Sequence, residues 1–151
     1  MHLSTRGKYG LKAMYQLSLG MPSDPTPLRA IAKSQGLSES YLEQLAAPLR
    51  RAGLVRSVRG ARGGYVLARG AGEISVGEII RALEGPIVPC DCVSEKPDVH
   101  HCGEPQNCVA KAVWEKVRDR VQALLDSITL EDLRAMDATK NQSLGEGDGV
   151  L

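Results

Sequence analysis

Between Gly36 and Ser38 the chain has a single residue, Leu37, in which to end one helix and begin the next. Gly36 can take the left-handed conformation that stops a helix. Ser38 is an N-cap whose hydroxyl can accept an orphan backbone N–H, and Leu37 with Leu42 is placed for a hydrophobic staple. The helix before the turn is expected to start with Thr26 as N-cap and Pro27 in the first helical position, and to bury Leu28, Ile31 and Ala32. The helix after it buries Leu42, Leu45 and Leu49 and closes at Gly53. Pro48 lies inside that helix, where it removes the bond to the carbonyl of Gln44 and is expected to kink the last turn.

Downstream, Leu54–Arg59 and Tyr65–Ala68 read as two strands around the glycine-rich tip Gly60-Ala61-Arg62-Gly63-Gly64. Upstream, Leu11, Met14 and Tyr15 mark a helix from Ser4 to Leu19, capped by Ser4 or Thr5. Ser75 and Glu78 form a capping box for a fourth helix that Gly85-Pro86 ends. A long helix starts near Val109, and Thr129 with Asp132 caps a short last one. The expected fold is mostly α with a small β-hairpin: a winged helix-turn-helix plus a long C-terminal dimerisation helix. The division is residues 1–85 for DNA binding, 86–108 for a cysteine-rich cofactor loop, 109–137 for the dimerisation and terminal helices, and 138–151 for a disordered tail.

At 151 residues the chain can bury a core without staples. Its net charge of +1 argues, taken whole, against a nucleic-acid binder. The average conceals a split. Residues 1–81 carry twelve Lys/Arg against five Asp/Glu, a charge of +7; residues 82–151 carry seven against thirteen, a charge of −6. Such asymmetry points to a nucleic-acid-binding module joined to something else, against the plainer reading of an uneven solvated surface. No apolar run approaches the roughly 18 residues of a membrane span, and the start lacks a secretory signal, so a cytoplasmic protein without membrane partners is expected.

The helix after the turn can enter a major groove, with its first residues at base edges. Here these are Ser38, Ser40, Tyr41, Glu43 and Gln44. Gln44 can read an adenine edge, Glu43 can accept from a cytosine amine, and Ser40 and Tyr41 can bond phosphates or bases. Arg56, Arg59 and Arg62 can carry guanidinium groups to the backbone or a narrow minor groove. The rival reading makes Glu43 and Gln44 ordinary exposed helix formers.

All four cysteines, Cys90, Cys92, Cys102 and Cys108, fall within 19 residues. A secreted disulfide fold would spread them; a tight cluster in a chain of this kind points to a metal, cluster or redox site. A zinc site fits the ligand set, although two cysteines one residue apart are an awkward tetrahedral clamp. Cys90 and Cys102 could also form a disulfide switch. On the long helix, Trp114, Val117, Val121, Leu124 and Ile128 make an apolar seam. It can pack within the chain or pair with a second copy, which would space two recognition helices roughly 34 Å apart on a two-fold symmetric operator.

Leu37 to Leu45, Ala52-Gly53-Leu54-Val55 and Val58-Arg59-Gly60-Ala61-Arg62-Gly63-Gly64-Tyr65 resemble the Rrf2 superfamily of bacterial regulators, and within it the IscR-like iron–sulfur regulators. The similarity runs from residue 1 to about 134. It implies a homodimeric winged-helix repressor or activator that senses iron, redox state or nitric oxide. Ser40, Tyr41, Glu43 and Gln44 match its DNA-contacting positions, Glu43 the one that discriminates operator types, and Arg59 matches the wing arginine. The cofactor implied is an iron–sulfur cluster, [2Fe–2S] ahead of [4Fe–4S], on Cys92, Cys102 and Cys108. The nine residues between Cys92 and Cys102 exceed the usual five. Lys111 stands where IscR-like members place a histidine, and Lys8 where nitric-oxide-sensing relatives place an acid. Cys90 is the leading fourth ligand, with His101 and His100 behind it.

No nucleophile–base constellation suggests an enzyme. The competing function is a small zinc- or iron–sulfur-binding electron-transfer or assembly protein without operator binding, against which the +7 segment argues.

Overall fold

The computed structural model describes residues 2–94 and 108–145. Six α-helices, α1 (Thr5–Leu19), α2 (Leu28–Gln35), α3 (Glu39–Arg51), α4 (Val76–Glu84), α5 (Val109–Ser127) and α6 (Leu130–Gly145), accompany one hairpin of β1 (Val55–Val58) and β2 (Gly64–Leu67) among the described residues. The strands are antiparallel, with Val55 opposite Leu67 and Val58 opposite Gly64. Met14, Ile31, Leu42, Leu45, Leu54, Ile74, Ile79 and Leu130 have almost no exposure and form the main core. A second cluster joins Val76, Ile80 and Ile87 to Val121, Leu125 and Ile128.

The helix-turn-helix forms as its caps dictate. Gly36 sits at φ 65°, ψ 34°, a left-handed geometry open to glycine at little cost. The Leu37 N–H bonds back to the Ala32 carbonyl at 2.9 Å. Ser38 Oγ accepts the Tyr41 N–H at 3.1 Å. At the far end of α3 the Leu54 N–H reaches the Leu49 carbonyl at 3.0 Å, the closing bond of a Schellman turn. Ser75 and Glu78 make the expected reciprocal capping box. Burial alone would raise the Glu78 carboxyl, but the Ser75 N–H and the Arg69 guanidinium at 2.8 Å outweigh it and hold the pKa below its ordinary value.

Four expectations are corrected or refined by the structure. Thr26 is not the N-cap of α2; Pro27, expected in the first helical position, holds the N-cap position without a side-chain cap. The Thr26 N–H and carbonyl instead exchange bonds with Tyr65 at 3.0 and 2.9 Å, tying the entrance of α2 to the wing. Ser4 holds the N-cap position of α1 without a side-chain cap. The acceptor there is the Glu84 carboxylate, which takes the Ser4 and Gly7 N–H groups at 2.6 and 3.2 Å and the Ser4 hydroxyl. The apolar seam of α5 is divided: Val121 and Ile128 pack on their own chain, whereas Trp114 and Leu124 stay exposed. Finally, the terminal helix does not stop at 137 but runs to Gly145. Its start is fixed by the Thr129–Asp132 exchange at 2.9 and 3.2 Å, and its first turns are held by buried Leu130 and by Tyr15, which donates to Asp137 at 2.7 Å. No proline occurs between Leu130 and Gly145 to stop it sooner.

The α5–α6 corner is clasped to the winged domain. The Val76 N–H bonds the Ile128 carbonyl at 2.8 Å, and the Leu130 N–H bonds the Ile74 carbonyl at 3.0 Å. Leu130→Ala should therefore lower stability by about 2–5 kcal/mol in urea unfolding, whereas Met136→Ala, at an exposed site on the same helix, should change it by about 0.5 kcal/mol or less.

Candidate nucleic-acid interface and cysteine segment

The open end of α3 presents Ser38, Glu39, Ser40, Glu43 and Gln44 to solvent. Their spacing follows from the buried stripe of Leu42, Leu45 and Leu49 on the opposite face. Tyr41 differs from its neighbours. It is half-buried, and its ring meets the Tyr9 ring edge-on, with centroids 6.3 Å apart and an interplanar angle of 87°. Lys12 Nζ lies 5.5 Å from the Tyr9 centroid. Tyr41 thus braces α3 against α1 as well as facing its open end. Sequence reasoning misses Tyr9 and Lys12 because the contact joins residues 32 positions apart.

The wing is a short hairpin with exposed Arg56, Arg59 and Arg62. Among the described residues none of the three forms an ion pair. Their guanidinium groups are thus available, among the described residues, to an external anion. The tip turns through Gly60 at φ 119°, and the Gly63 N–H bonds the Gly60 carbonyl at 2.9 Å. A Cβ on Gly63 would lie 2.4 Å from the Val58 carbonyl oxygen. Arg56 is set apart from the other two: it borders a cavity at the root of the wing.

Of the cysteine segment, Cys90, Cys92 and Cys108 are described; Cys102, His100 and His101 lie outside the described residues. Cys90 and Cys92 flank Asp91 in a tight turn, with their sulfurs 3.3 Å apart. The Cys92 thiol is pushed above its ordinary value, first by its hydrogen bond with Cys90, then by partial desolvation and by the charges of Cys90 and Cys108. Cys108 occupies the N-cap position of α5. Among the described residues no three histidine, cysteine or acidic side chains converge as a metal site. The segment is anchored to α5: Arg118 Nη1 donates to the Val93 carbonyl at 2.9 Å, and Gln122 Nε2 to the Ile87 carbonyl at 3.1 Å. Among the described residues no helix is long and apolar enough to cross a membrane.

A helix-turn-helix, an arginine-bearing wing and a cysteine segment braced on a long helix have a counterpart among known proteins. The model of the Rrf2 family, iron-dependent transcriptional regulators, matches residues 3–136. The chain belongs to the Rrf2 family. It is 47% identical over 133 residues to the HTH-type transcriptional regulator CymR of Bacillus subtilis, spanning 88% of this chain and 89% of that one. It is 41% identical over 133 residues to the HTH-type transcriptional regulator IscR of Cronobacter sakazakii, spanning 88% and 80%. The structure of B. subtilis CymR, described as the global cysteine regulator, superposes with a TM-score of 0.74 at 46% identity over 90% of this chain and 98% of that one. That of T. potens IscR gives 0.73 at 46% identity over 94% and 91%. The fold of this Rrf2 chain is accordingly the winged-helix fold of these regulators, and its function is transcriptional regulation, not catalysis.

In this Rrf2 chain the wing depends on the closeness at Gly63. Gly63→Ala should displace the hairpin, shifting the amide resonances of residues 58–65 while those of α2 stay in place, at a cost of about 1–3 kcal/mol in thermal unfolding.

Proposed function

We propose that two copies of this chain bind a two-fold symmetric DNA operator and that the cysteine segment holds an iron–sulfur cluster. The observation that carries the DNA part is the exposed set Ser38, Ser40, Glu43 and Gln44 on one open helix end, adjoined by a wing whose arginines have no ion-pair partner among the described residues. Ser40, Glu43 and Gln44 supply acceptors and donors for base edges, and Tyr41 fixes their height on the groove through its packing on Tyr9. Arg59 and Arg62 carry positive charge to the phosphates or minor groove beside them. Pairing of two copies is supported by the face of α5 that its own chain leaves open: Val109, Val113, Trp114 and Leu124 are exposed at 85, 52, 41 and 60%. A second copy's α5 is the natural cover for such a face.

The cofactor part rests on the 3.3 Å between the sulfurs of Cys90 and Cys92. Two thiolates on one metal ion with bonds near 2.3 Å sit roughly 3.8 Å apart, so this pair needs only a small adjustment. The donor set is all sulfur, the set iron–sulfur clusters use. Cys90 and Cys92 would hold one side, with Cys108 and Cys102 completing it. When bound, the cluster would supply the positive charge that lets crowded thiolates coexist, and a redox state that can change. Arg118 and Gln122 hold the same segment by its backbone carbonyls, so a shift of the segment is passed to α5. The likeness to CymR, described as a cysteine regulator, supports a second reading from the same separation: Cys90 and Cys92 respond as thiols without a metal.

Protein purified without air should show visible absorption of sulfide-to-iron character, with iron and acid-labile sulfide in equal amounts, and Cys92→Ser should abolish it. Zinc alone, or free thiols with neither iron nor sulfide, would overturn the cluster assignment.

A further inference from the structure

At the root of the wing lies a cavity of about 610 Å³ that shares only Arg56 with the residues read as DNA-contacting. Five segments enclose it: the end of α1, the turn from Gly20 to Thr26, Arg56 of β1, the run from Tyr65 to Ala71, and Arg134 of α6. The exposed base-reading residues of α3 and the wing tip from Ser57 to Gly64 take no part in its wall. Its volume falls in the usual range for small-ligand sites.

The charged residues of that wall are Arg56, Arg69, Arg134 and Asp24, a formal charge of +2. Arg69 is held in place by Glu78 at 2.8 Å and by the Glu73 carbonyl at 3.1 Å. Arg56 and Arg134 form no ion pair among the described residues. They approach from opposite elements, one on the wing and one on the C-terminal helix. Leu17, Tyr65 and Leu67 add apolar surface to the same wall. Guanidinium groups favour carboxylate and phosphate through paired N–H donors. A wall that combines guanidinium groups from different elements with apolar side chains suits a ligand that carries anionic groups on an apolar body.

We propose that this cavity binds a small organic dianion, bearing carboxylate or phosphate groups on a short apolar body, between Arg56 and Arg134. The bound molecule would tie the wing strand to α6 and bias where the wing sits. That effect on DNA rests on the proposed operator binding; the ligand binding itself does not, and it is measured without DNA.

The test is calorimetric titration of the full chain with succinate, glutarate, O-phosphoserine and inorganic phosphate separately. At least one probe should bind saturably. Succinate or glutarate binding alone would assign a carboxylate ligand, and phosphoserine or phosphate binding alone a phosphorylated one. Arg134→Gln, at an exposed position, should keep the far-ultraviolet circular dichroism of the parent and weaken binding about tenfold. Asp24→Asn removes the one carboxylate of the wall and should tighten binding about threefold. Saturation by none of the four probes, or affinity unchanged in both variants, would overturn the proposal. So would an Arg134→Gln protein that loses affinity for duplex DNA while the parent binds no small anion, since the arginine would then be a DNA-backbone contact.

Discussion

Two backbone hydrogen bonds, from Val76 to Ile128 and from Leu130 to Ile74, hold the C-terminal helices to the winged domain. They join segments more than fifty residues apart, a closure whose entropy cost must be met by burial. Ile74 and Leu130, both without exposure, supply that burial at the same spot. The position of α5 follows from the clasp, with its half-buried Val121 and Leu125 laid on α4 and its Asp126 paired to Arg81 at 2.7 Å. So does the docking of α6 on α1. The chain leaves α4 at Gly85 and enters α5 at Cys108, so both ends of the cysteine segment rest on this one packed unit.

That arrangement gives the charge distribution a mechanical meaning. The +7 part is the winged domain, and most of the acidic excess lies beyond it. DNA affinity depends on phosphate neutralisation, so on the proposed function the first part would bind while the second would set the geometry of binding. On the proposed function, a signal at Cys90 or Cys92 would reach α5 through the Val93 and Ile87 carbonyls that Arg118 and Gln122 hold. A ligand at the wing root would act from the other side, through Arg56 and Arg134. The first route would bear on how two proposed copies are spaced, the second on how one wing is held.

What the sequence discloses is local. Gly36, Ser38 and the Ser75–Glu78 box act within four residues of themselves, and each does what its chemistry predicts. Thr26 has the look of a cap because the residues next to it allow one; its actual partner, Tyr65, is 39 positions away. The period of α5 shows an apolar side but not that Val121, Leu125 and Ile128 pack on Val76, Ile80 and Ile87 while Trp114 and Leu124 stay exposed. The tail beyond 137 is polar enough to read as disordered, yet a cap at Thr129 and anchors at Leu130 and Asp137 carry the helix on to Gly145. Base-reading positions can be named from the pattern after Ser38. The double duty of Tyr41 and the cavity at the wing root cannot, since both are made by elements distant in sequence.

Everything proposed for the recognition helix and for the open face of α5 requires that the full chain read DNA as a symmetric pair. Selection from a pool of random duplexes tests this most directly. It should enrich an inverted repeat whose half-sites are centred about one helical turn apart, roughly 34 Å, or a multiple of it. Failure to enrich any sequence, or enrichment of a single unrepeated site, would contradict it.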